Sequence, residues 1–196
     1  MAYTKILVVH NRLDKSVAYV QNEEKTSLEA AIDYALNRDK TEQVCFETAI
    51  NCDRETVYTD MLSTKRRWGK EERKRKGYHI IQSFKPGEIT PELALELAKG
   101  FAAEYLPDYE VVIGTHTDRD HIHSHILFNS VNAQTGEKYH VSTREYYRQI
   151  RAISDRLCRE HGLSVIMEGK ADKAVSYIEW LRQSRGQPTF RAMLEA

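Results

Sequence analysis

Two β-rich segments joined by a short polar turn constrain the fold of this chain more than any other feature. The segments are "YEVVIGTH" (109–116) and "HIHSHILFNSVN" (121–132), and "TDRD" (117–120) lies between them. A connection this short joins antiparallel strands, whereas parallel strands need a crossover of about a dozen residues or more. The pair therefore predicts a β-hairpin and excludes a purely parallel sheet.

The remaining elements predict an α+β fold. β-branched and aromatic residues favour further strands at 3–10, 44–51 and 77–84. The clearest helix has Thr90 as its N-cap and Pro91 in its first turn, and apolar residues follow at every fourth position. Other helix starts are predicted at Thr26–Glu29, Asp53 and Ser142–Glu145. We expect a central, mostly antiparallel β-sheet flanked by helices.

The composition excludes several classes of protein. Lys plus Arg and Asp plus Glu number 29 each, so the formal net charge is zero, and the three cysteines form no Cys-x-x-Cys pair. No apolar run approaches the length of a membrane span. These features argue against a membrane protein and against a disulfide scaffold. They predict a cytoplasmic protein with reduced thiols.

Positive charge is nevertheless concentrated in one segment. The run "KRRWGKEERKRK" (65–76) contains eight Lys or Arg residues against two Glu residues. Lys65, Arg66 and Arg67 offer charge for phosphates, and Trp68 offers a ring on which a base can stack, which is the combination that binds single-stranded nucleic acid. A solvated helix end is the alternative interpretation. A phosphodiester site nearby would favour DNA contact.

The predicted hairpin carries half of the eight histidines. Alternate residues of a strand face the same side, so His123 and His125 share a face. If TDRD forms the whole turn, His116 lies opposite His121. His116 then projects from the same face, and Gly114, opposite His123, leaves room beside the rings. Three imidazoles on one face predict a metal site with open coordination positions, as in catalytic centres.

Neighbouring residues have supporting roles in this interpretation. Asp118 or Asp120 is a candidate for the carboxylate that orients a ligand imidazole. His121 is not expected to bind the ion, but it could support His116 across the hairpin. Asn129 shares the histidine face and is expected to fix hydrogen bonds there. The alternatives are a solvated, pH-sensitive hairpin and a cupin-like iron site, although a cupin needs many short strands instead of long helices.

Three motifs carry a resemblance to a known family. The segment "HTDRDHIHSHILFNSVN" (116–132) resembles the third motif of conjugative relaxases of the MobP class, whose pattern is HxDxxxxHxH. The segment "HIIQSFKPGE" (79–88) resembles their second motif, centred on a serine, and "LDKSVAYVQNEEKT" (13–26) resembles their first, which carries a tyrosine. The chain is thus similar to the histidine–hydrophobe–histidine (HUH) endonucleases, and the resemblance implies their ferredoxin-like palm.

The resemblance implies a metal-dependent DNA strand transferase. In this family a tyrosine attacks one phosphodiester at the nic site of an origin of transfer, becomes linked to the 5′-phosphate and frees a 3′-hydroxyl. The matching tyrosine is Tyr19. The matching ligands of a divalent ion, Mg²⁺ or Mn²⁺, are His116, His123 and His125. Asp118 is expected to act as the base or to orient a histidine.

The second motif supplies further candidate residues. Ser83 matches the motif serine, which is thought to contact DNA near the scissile bond. His79 and Gln82 are expected to line the same groove. Glu88 is expected either to cap the following helix or to reach the ion. The alternative nucleophiles are Tyr34 and His10.

The resemblance also implies domain boundaries and partners. We expect residues 1–165 to form the relaxase catalytic domain and residues 166–196 to be a C-terminal helical extension that begins a longer protein. The expected partners are single-stranded origin-of-transfer DNA, an accessory relaxosome protein and a coupling protein, without a membrane. A rolling-circle replication initiator and a non-catalytic single-stranded DNA-binding module remain alternative functions.

Overall fold

A computed structural model of the protein describes residues 2–10, 32, 35–36, 46–71, 75–117 and 120–166. The chain divides after Val165 into two units, and nearly all of the described residues belong to the first. Within the part of the chain that the structure describes, no helix is both long enough and apolar enough to cross a membrane.

A five-stranded sheet forms the centre of the described fold. Its strands are β1 (Tyr3–His10), β2 (Glu47–Ile50), β3 (Arg75–Ser83), β4 (Val111–His116) and β5 (His123–Asn129). Their order across the sheet is β1-β3-β5-β4-β2, and each neighbouring pair is antiparallel. The predicted α+β class with a central antiparallel sheet is confirmed, and β5 lies in the middle of that sheet.

Helices follow the second and third strands and end the described chain. They are α1 (Val57–Arg67), α2 (Pro91–Tyr105), α3 (Thr143–Glu145) and α4 (Ala152–Glu160). A π-helical segment, Tyr146–Arg151, joins α3 to α4, so these three pieces form one continuous helical stretch. The helix start predicted at Thr26–Glu29 and the helix predicted after residue 166 lie outside the described residues.

Two of the predicted helix starts are confirmed. The hydroxyl of Thr90 accepts a hydrogen bond from a backbone N–H in the first turn of α2. Ser142 and Glu145 form a capping box, because each side chain accepts from the backbone N–H of the other residue. The N-cap predicted at Asp53 is wrong. Its carboxylate accepts from the backbone N–H of Glu55, in a turn that precedes α1.

The two faces of the sheet pack against different helices. On one face, Ile126 of β5 joins a buried cluster with Phe101 of α2. On the other face, Leu127 of β5 joins a cluster with Met61 of α1. Because alternate residues of a strand face the same side, His125 shares its face with Leu127. The histidines of β5 therefore lie on the α1 side of the sheet.

The register predicted for the hairpin is wrong by two residues. His116 pairs with His123, not with His121. The connection is longer than the four residues TDRD, because the carbonyl of Ile122 leaves the hairpin ladder and accepts a hydrogen bond from the backbone N–H of Phe84 at 3.0 Å. A shift of two residues, unlike a shift of one, leaves every side chain on its original face. The predicted common face of the histidines is therefore retained.

Candidate metal centre

Three buried histidine rings converge on the α1 side of the sheet. His116, His123 and His125, here called the histidine cluster, expose at most 7% of their surface. One ring nitrogen of each lies within 4.8 Å of those of the others. The ring centroids are 4.4, 4.9 and 5.3 Å apart, and the ring planes are inclined by 54° to 79°. Neutral imidazoles in this arrangement can hold one metal ion and leave coordination positions open.

Backbone carbonyls fix the tautomers of two of these rings. Nε2 of His116 lies 2.9 Å from the carbonyl oxygen of Ala35, and Nδ1 of His123 lies 3.3 Å from the carbonyl oxygen of His121. A carbonyl oxygen can only accept, so these two nitrogens carry the proton in the neutral rings. The lone pairs are then on Nδ1 of His116 and on Nε2 of His123, and these are the atoms that can bind an ion.

The third ring has an imidazole as its partner. Nδ1 of His125 lies 2.7 Å from Nε2 of His79 in β3, and the two ring centroids are 4.8 Å apart. Either nitrogen can donate in such a pair, depending on the tautomers. Burial, together with the smaller effects of the nearby His116 and His123, lowers the pKa of His79 to about 4. His79 is therefore neutral at neutral pH.

Gly114 makes space for the backbone that reaches His116. It lies opposite His125 in the hairpin. A Cβ added at Gly114 would be 1.7 Å from the carbonyl oxygen of Ala35, far closer than any contact allows. Glycine is thus required for the close approach of this backbone segment. The space that the sequence predicts beside the histidines is present, and the backbone around Ala35 fills it.

Two of the four residues predicted from the second motif lie at the histidine cluster. Ser83 pairs with His123 and is buried on the same face of the sheet, and His79 contacts the cluster as described above. Gln82 does not belong to this group, because adjacent residues of a strand face opposite sides. Its amide nitrogen donates to the hydroxyl of Ser154 at 2.7 Å, in the helical layer. The prediction that Gln82 lines the same groove is wrong.

His121 and Glu88 have contacts that differ from the predicted ones. His121 is half-buried, with its ring centroid 5.2 Å from that of His123, and its carbonyl lies beside the same ring. It therefore supports His123 and does not face His116 across the hairpin. The carboxylate of Glu88 accepts from the backbone N–H and the hydroxyl of Ser164, at 2.6 and 2.8 Å. These contacts replace the predicted helix cap and ion contact of Glu88, and they tie the start of α2 to the segment after α4.

A second buried polar group lies farther along the same face and is here called the Lys65–Glu110 cluster. The amide of Asn129 donates to the carboxylate of Glu110 and to the carbonyl of Met61, and its oxygen accepts from Lys65. Thr64 donates to the other carboxylate oxygen. Lys65 is fully buried, and this burial lowers its pKa to about 7 even though Glu110 opposes the shift.

These contacts correct two predictions. Lys65 was expected to bind DNA phosphates, but its side chain lies on the sheet side of α1, one helical turn after the buried Met61. A side chain at that position cannot reach a phosphate at the protein surface. Asn129 shares the face of the histidines as predicted. Its hydrogen bonds, however, belong to the Lys65–Glu110 cluster and not to the histidine cluster.

Arg66, Arg67 and Trp68 remain at the surface at the end of α1. The side chain of Arg66 is 62% exposed and pairs with Glu71. Arg67 donates to a loop carbonyl at 2.7 Å, and a Cβ added at Gly136 in that loop would be 2.4 Å from the ring of Trp68. Part of the tryptophan therefore packs on this loop, while 38% of the residue stays exposed. All three residues have the exposure that DNA contact requires.

The predicted catalytic residues lie outside the described part of the chain. Neither Tyr19 nor Asp118 is described, so the nucleophile and the base stay predictions. The alternative nucleophile Tyr34 also lies outside the described residues. Of His10, the structure describes only the backbone, at the end of β1.

Sequence reasoning missed two contacts of the histidine cluster. The carbonyl of Ala35 has no signal in the sequence, because every residue type has a backbone carbonyl. The contact between His79 and His125 had a partial signal, since the alternation of a strand groups His79 with Ser83 on one face. To predict this contact, one would also have to know that β3 and β5 are neighbours in the sheet, and the sequence alone does not show this.

Comparisons with known proteins agree with one another. Residues 34–163 match the family model described as the MobA/VirD2-like nuclease domain of relaxases. A protein named rlx from Staphylococcus aureus is 43% identical over 143 residues, which cover 71% of this chain and 41% of that protein. The group II intron-interrupted relaxase LtrB of Lactococcus lactis is 29% identical, over 94% of this chain and 41% of the relative. The chain spans less than half the length of the curated relatives it matches.

Solved structures with low sequence identity share the fold. One comes from work on the transfer of vancomycin resistance in Staphylococcus aureus; its TM-score is 0.56 at 14% identity, over 87% of this chain and 99% of that chain. Another is a Mn-bound MobM relaxase domain in complex with plasmid oriT DNA; its TM-score is 0.58 at 13% identity, over 93% of this chain and 98% of that chain. These likenesses support the HUH-type α+β fold.

Proposed function

The chain belongs to the MobA/VirD2-like relaxase family, and we propose that it nicks and religates one DNA strand at an origin of transfer. This reaction would initiate conjugative transfer or mobilization of a plasmid or an integrative element. The histidine cluster carries the proposal, because it places three potential metal ligands within 4.8 Å of one another in a buried site. We further propose that the full-length protein acts with an accessory relaxosome protein and a coupling protein.

We propose that His116, His123 and His125 hold a divalent ion. The donor set fits such an ion, because each ring has one nitrogen beside a hydrogen-bond partner and offers one ligand atom to the cluster. When bound, a divalent ion would polarise the scissile phosphodiester and offset charge on its non-bridging oxygens. Imidazole suits Mg²⁺ less well than oxygen ligands do. Of the two expected ions we therefore favour Mn²⁺, the ion in the MobM structure.

Tyr19 is the proposed nucleophile. Its hydroxyl oxygen forms a bond to phosphorus while the bond from phosphorus to the 3′ oxygen breaks. The chain is then attached to the 5′-phosphate, and the 3′ oxygen leaves as a hydroxyl after it takes up a proton. One phosphodiester is exchanged for another, so the same reaction run backwards religates the strand.

The tyrosine needs a proton acceptor. Its unperturbed pKa is about 10, so the hydroxyl is a weak nucleophile at neutral pH unless a base or a nearby positive charge assists it. Asp118 is the proposed base, or else the carboxylate that orients a ligand histidine. It lies two positions after His116 in the sequence, beyond the end of β4.

One residue at the histidine cluster and three at the end of α1 are proposed to bind the DNA strand. Ser83 pairs with His123 across the sheet, and its hydroxyl is suited to donate to a phosphate oxygen near the scissile bond. Arg66 and Arg67 supply positive charge, and Trp68 supplies a ring for base stacking. We expect binding to weaken steeply with salt, because phosphate contacts release counterions from the DNA.

The proposal is tested with a labelled single-stranded oligonucleotide from the origin of transfer of the chain's own element. The oligonucleotide is incubated with protein and Mn²⁺ and resolved by denaturing electrophoresis. We expect wild type and Tyr34→Phe to form a covalent adduct, and Tyr19→Phe to form none. Tyr34→Phe is the matched control, because it removes the same hydroxyl from an alternative nucleophile. An adduct that survives Tyr19→Phe unchanged would contradict the proposed mechanism.

A second oligonucleotide separates the related functions. If the chain is a rolling-circle replication initiator, the adduct forms with replication-origin DNA and not with transfer-origin DNA. If it is a non-catalytic DNA-binding module, wild type binds the oligonucleotide but forms no adduct, and Tyr19→Phe changes nothing. Either result would overturn the proposed function.

A further inference from the structure

We infer that His79 is a positioning residue of the metal centre. It accepts a hydrogen bond from Nδ1–H of His125 and thereby keeps the lone pair of His125 on Nε2, where an ion can bind. The inference rests on the proposed function, because it presumes that the histidine cluster holds an ion. It adds a residue outside the three ligands to the machinery of this site.

The position of His79 in the sheet supports this role. His79 pairs with Leu127 and Ile81 pairs with His125, so His79 and His125 are diagonal neighbours on β3 and β5. Both strands are interior strands of the described sheet. The distance between Nε2 of His79 and Nδ1 of His125 is 2.7 Å, and the two residues are 8% and 2% exposed. The contact is therefore short, shielded from water and held by two rigid elements.

The chemistry of the three rings shows why this partner matters. His116 and His123 each face a backbone carbonyl, which can only accept a hydrogen bond and so leaves one tautomer. His125 faces an imidazole, which can accept or donate. If His79 donates, the proton of His125 must be on Nε2, and the ring has no lone pair for an ion. If His79 accepts, Nε2 of His125 is available, and His79 must carry its own proton on Nδ1.

His79 is also a partner that a single substitution can remove, whereas the partners described above for His116 and His123 are main-chain carbonyls. Glutamine places an amide oxygen the same number of bonds from Cβ as Nε2 of histidine, and this oxygen can accept the hydrogen bond. Leucine fills a similar volume but cannot accept. His79→Gln and His79→Leu therefore separate hydrogen bonding from packing.

The first readout is the tautomer of His125 in metal-free protein. Long-range proton–nitrogen correlation NMR distinguishes the two neutral tautomers of each histidine, and the signals of His125 are assigned by comparison with His125→Asn. We expect Nδ1–H in wild type and in His79→Gln, and loss of that tautomer in His79→Leu. A wild-type His125 with its proton on Nε2 would overturn the inference without any variant, even if His79→Leu fails to fold.

The second readout is the affinity for Mn²⁺, measured by titration calorimetry on variants whose thermal melts show that they are folded. We expect His79→Leu to weaken binding by about 10-fold to 100-fold, which is typical for loss of a partner behind a metal ligand, and His79→Gln to stay within about threefold of wild type. Wild-type affinity in His79→Leu, or an unchanged tautomer of His125 in that variant, would overturn the inference.

These readouts also separate the inference from the proposed function. If the tautomer and the Mn²⁺ affinities follow the expectation but no DNA adduct forms, the proposed relaxase activity fails and the role of His79 stands. If wild type forms the adduct and binds Mn²⁺ but His79→Leu binds it equally well, the role of His79 fails alone. If wild type binds no Mn²⁺, the inference falls together with the proposed metal centre.

Discussion

The histidine cluster and the Lys65–Glu110 cluster lie on the same face of one sheet, and both bury polar side chains. They differ in how their members match. In the Lys65–Glu110 cluster an ammonium, a carboxylate, an amide and a hydroxyl form complementary hydrogen bonds. The histidine cluster instead collects three groups of one kind, and one ligand atom of each lies within 4.8 Å of those of the others. The Lys65–Glu110 cluster is therefore expected to contribute to the stability of the fold, whereas the histidine cluster is expected to bind a metal ion.

The largest expected effect is the loss of function on removal of a metal ligand. His116→Ala should weaken Mn²⁺ binding by more than about 100-fold, because a ligand contributes more than its supporting partner, and it should abolish the DNA adduct. The free energy of unfolding of the metal-free protein should change by no more than about 2 kcal/mol. Calorimetric titration and denaturant unfolding measure these quantities. A large loss of stability with full Mn²⁺ affinity would show that the histidine cluster is structural.

A substitution in the Lys65–Glu110 cluster should lower the stability of the protein without changing its Mn²⁺ affinity. Glu110→Gln replaces one of the two carboxylate oxygens that accept from Thr64 and Asn129 with an amide donor, and a buried polar group left without its partner costs about 1–3 kcal/mol of unfolding free energy. The Mn²⁺ affinity of the folded protein should stay within about twofold of wild type, because independent sites behave additively. Denaturant unfolding and calorimetric titration test the pair of expectations. A parallel loss of Mn²⁺ affinity would mean that the two clusters are coupled through β5.

A backbone substitution should affect both stability and the metal site. Gly114→Ala places a Cβ against the carbonyl of Ala35, which also contacts His116. We expect about 1–3 kcal/mol of destabilisation from overpacking, together with weaker Mn²⁺ binding. The matched control is Gly100→Ala in α2, where an added Cβ meets only Leu157 at 3.8 Å. That variant should be more stable by up to about 1 kcal/mol, with unchanged Mn²⁺ affinity. Equal behaviour of the two variants would contradict the role of Gly114.

The smallest expected effect is a dependence of stability on pH. The pKa of Lys65 in the folded protein, about 7, lies below its ordinary value of 10.5. Between these values the unfolded chain binds more protons than the folded protein, so this residue makes stability rise with pH, and below about pH 7 its full burial cost is present. Compared with wild type, Lys65→Met should flatten this rise by roughly 1.5 kcal/mol between about pH 7 and about pH 8.5. Urea unfolding at several pH values measures the slope, and identical slopes would contradict the assignment.

Local patterns in the sequence predicted most of the fold. β-branched runs gave the strands, and the Thr90 and Ser142–Glu145 patterns gave two helix starts, because these signals act between residues close in the chain. The common face of His116, His123 and His125 also followed from alternation. That result survives an error of two residues in the register, since such a shift does not turn a strand over.

The wrong predictions have two kinds of cause. Some depend on contacts between distant parts of the chain, and others disregard the alternation of a strand or the spacing of a helix. The predicted hairpin register was wrong because the carbonyl of Ile122 accepts a hydrogen bond from Phe84, which is in a different segment of the chain. The carbonyl of Ala35 and the pairing of β3 with β5 are tertiary features without a local signal. The predicted roles of Gln82 and Lys65, by contrast, conflict with local patterns in the sequence itself. The alternation of side chains along β3 places Gln82 on the other face of the sheet from His79. Helical spacing places Lys65 on the same side of α1 as Met61.

The central claim is that the histidine cluster holds one divalent ion through three imidazoles. Pulsed EPR of Mn²⁺ bound to the wild-type protein tests it most directly, because hyperfine couplings report the nitrogen atoms coordinated to the ion. The prediction is one bound Mn²⁺ per chain with couplings from three histidine nitrogens, and fewer nitrogens or no bound ion in His116→Ala. Bound Mn²⁺ without nitrogen couplings, or couplings that His116→Ala leaves unchanged, would contradict the claim.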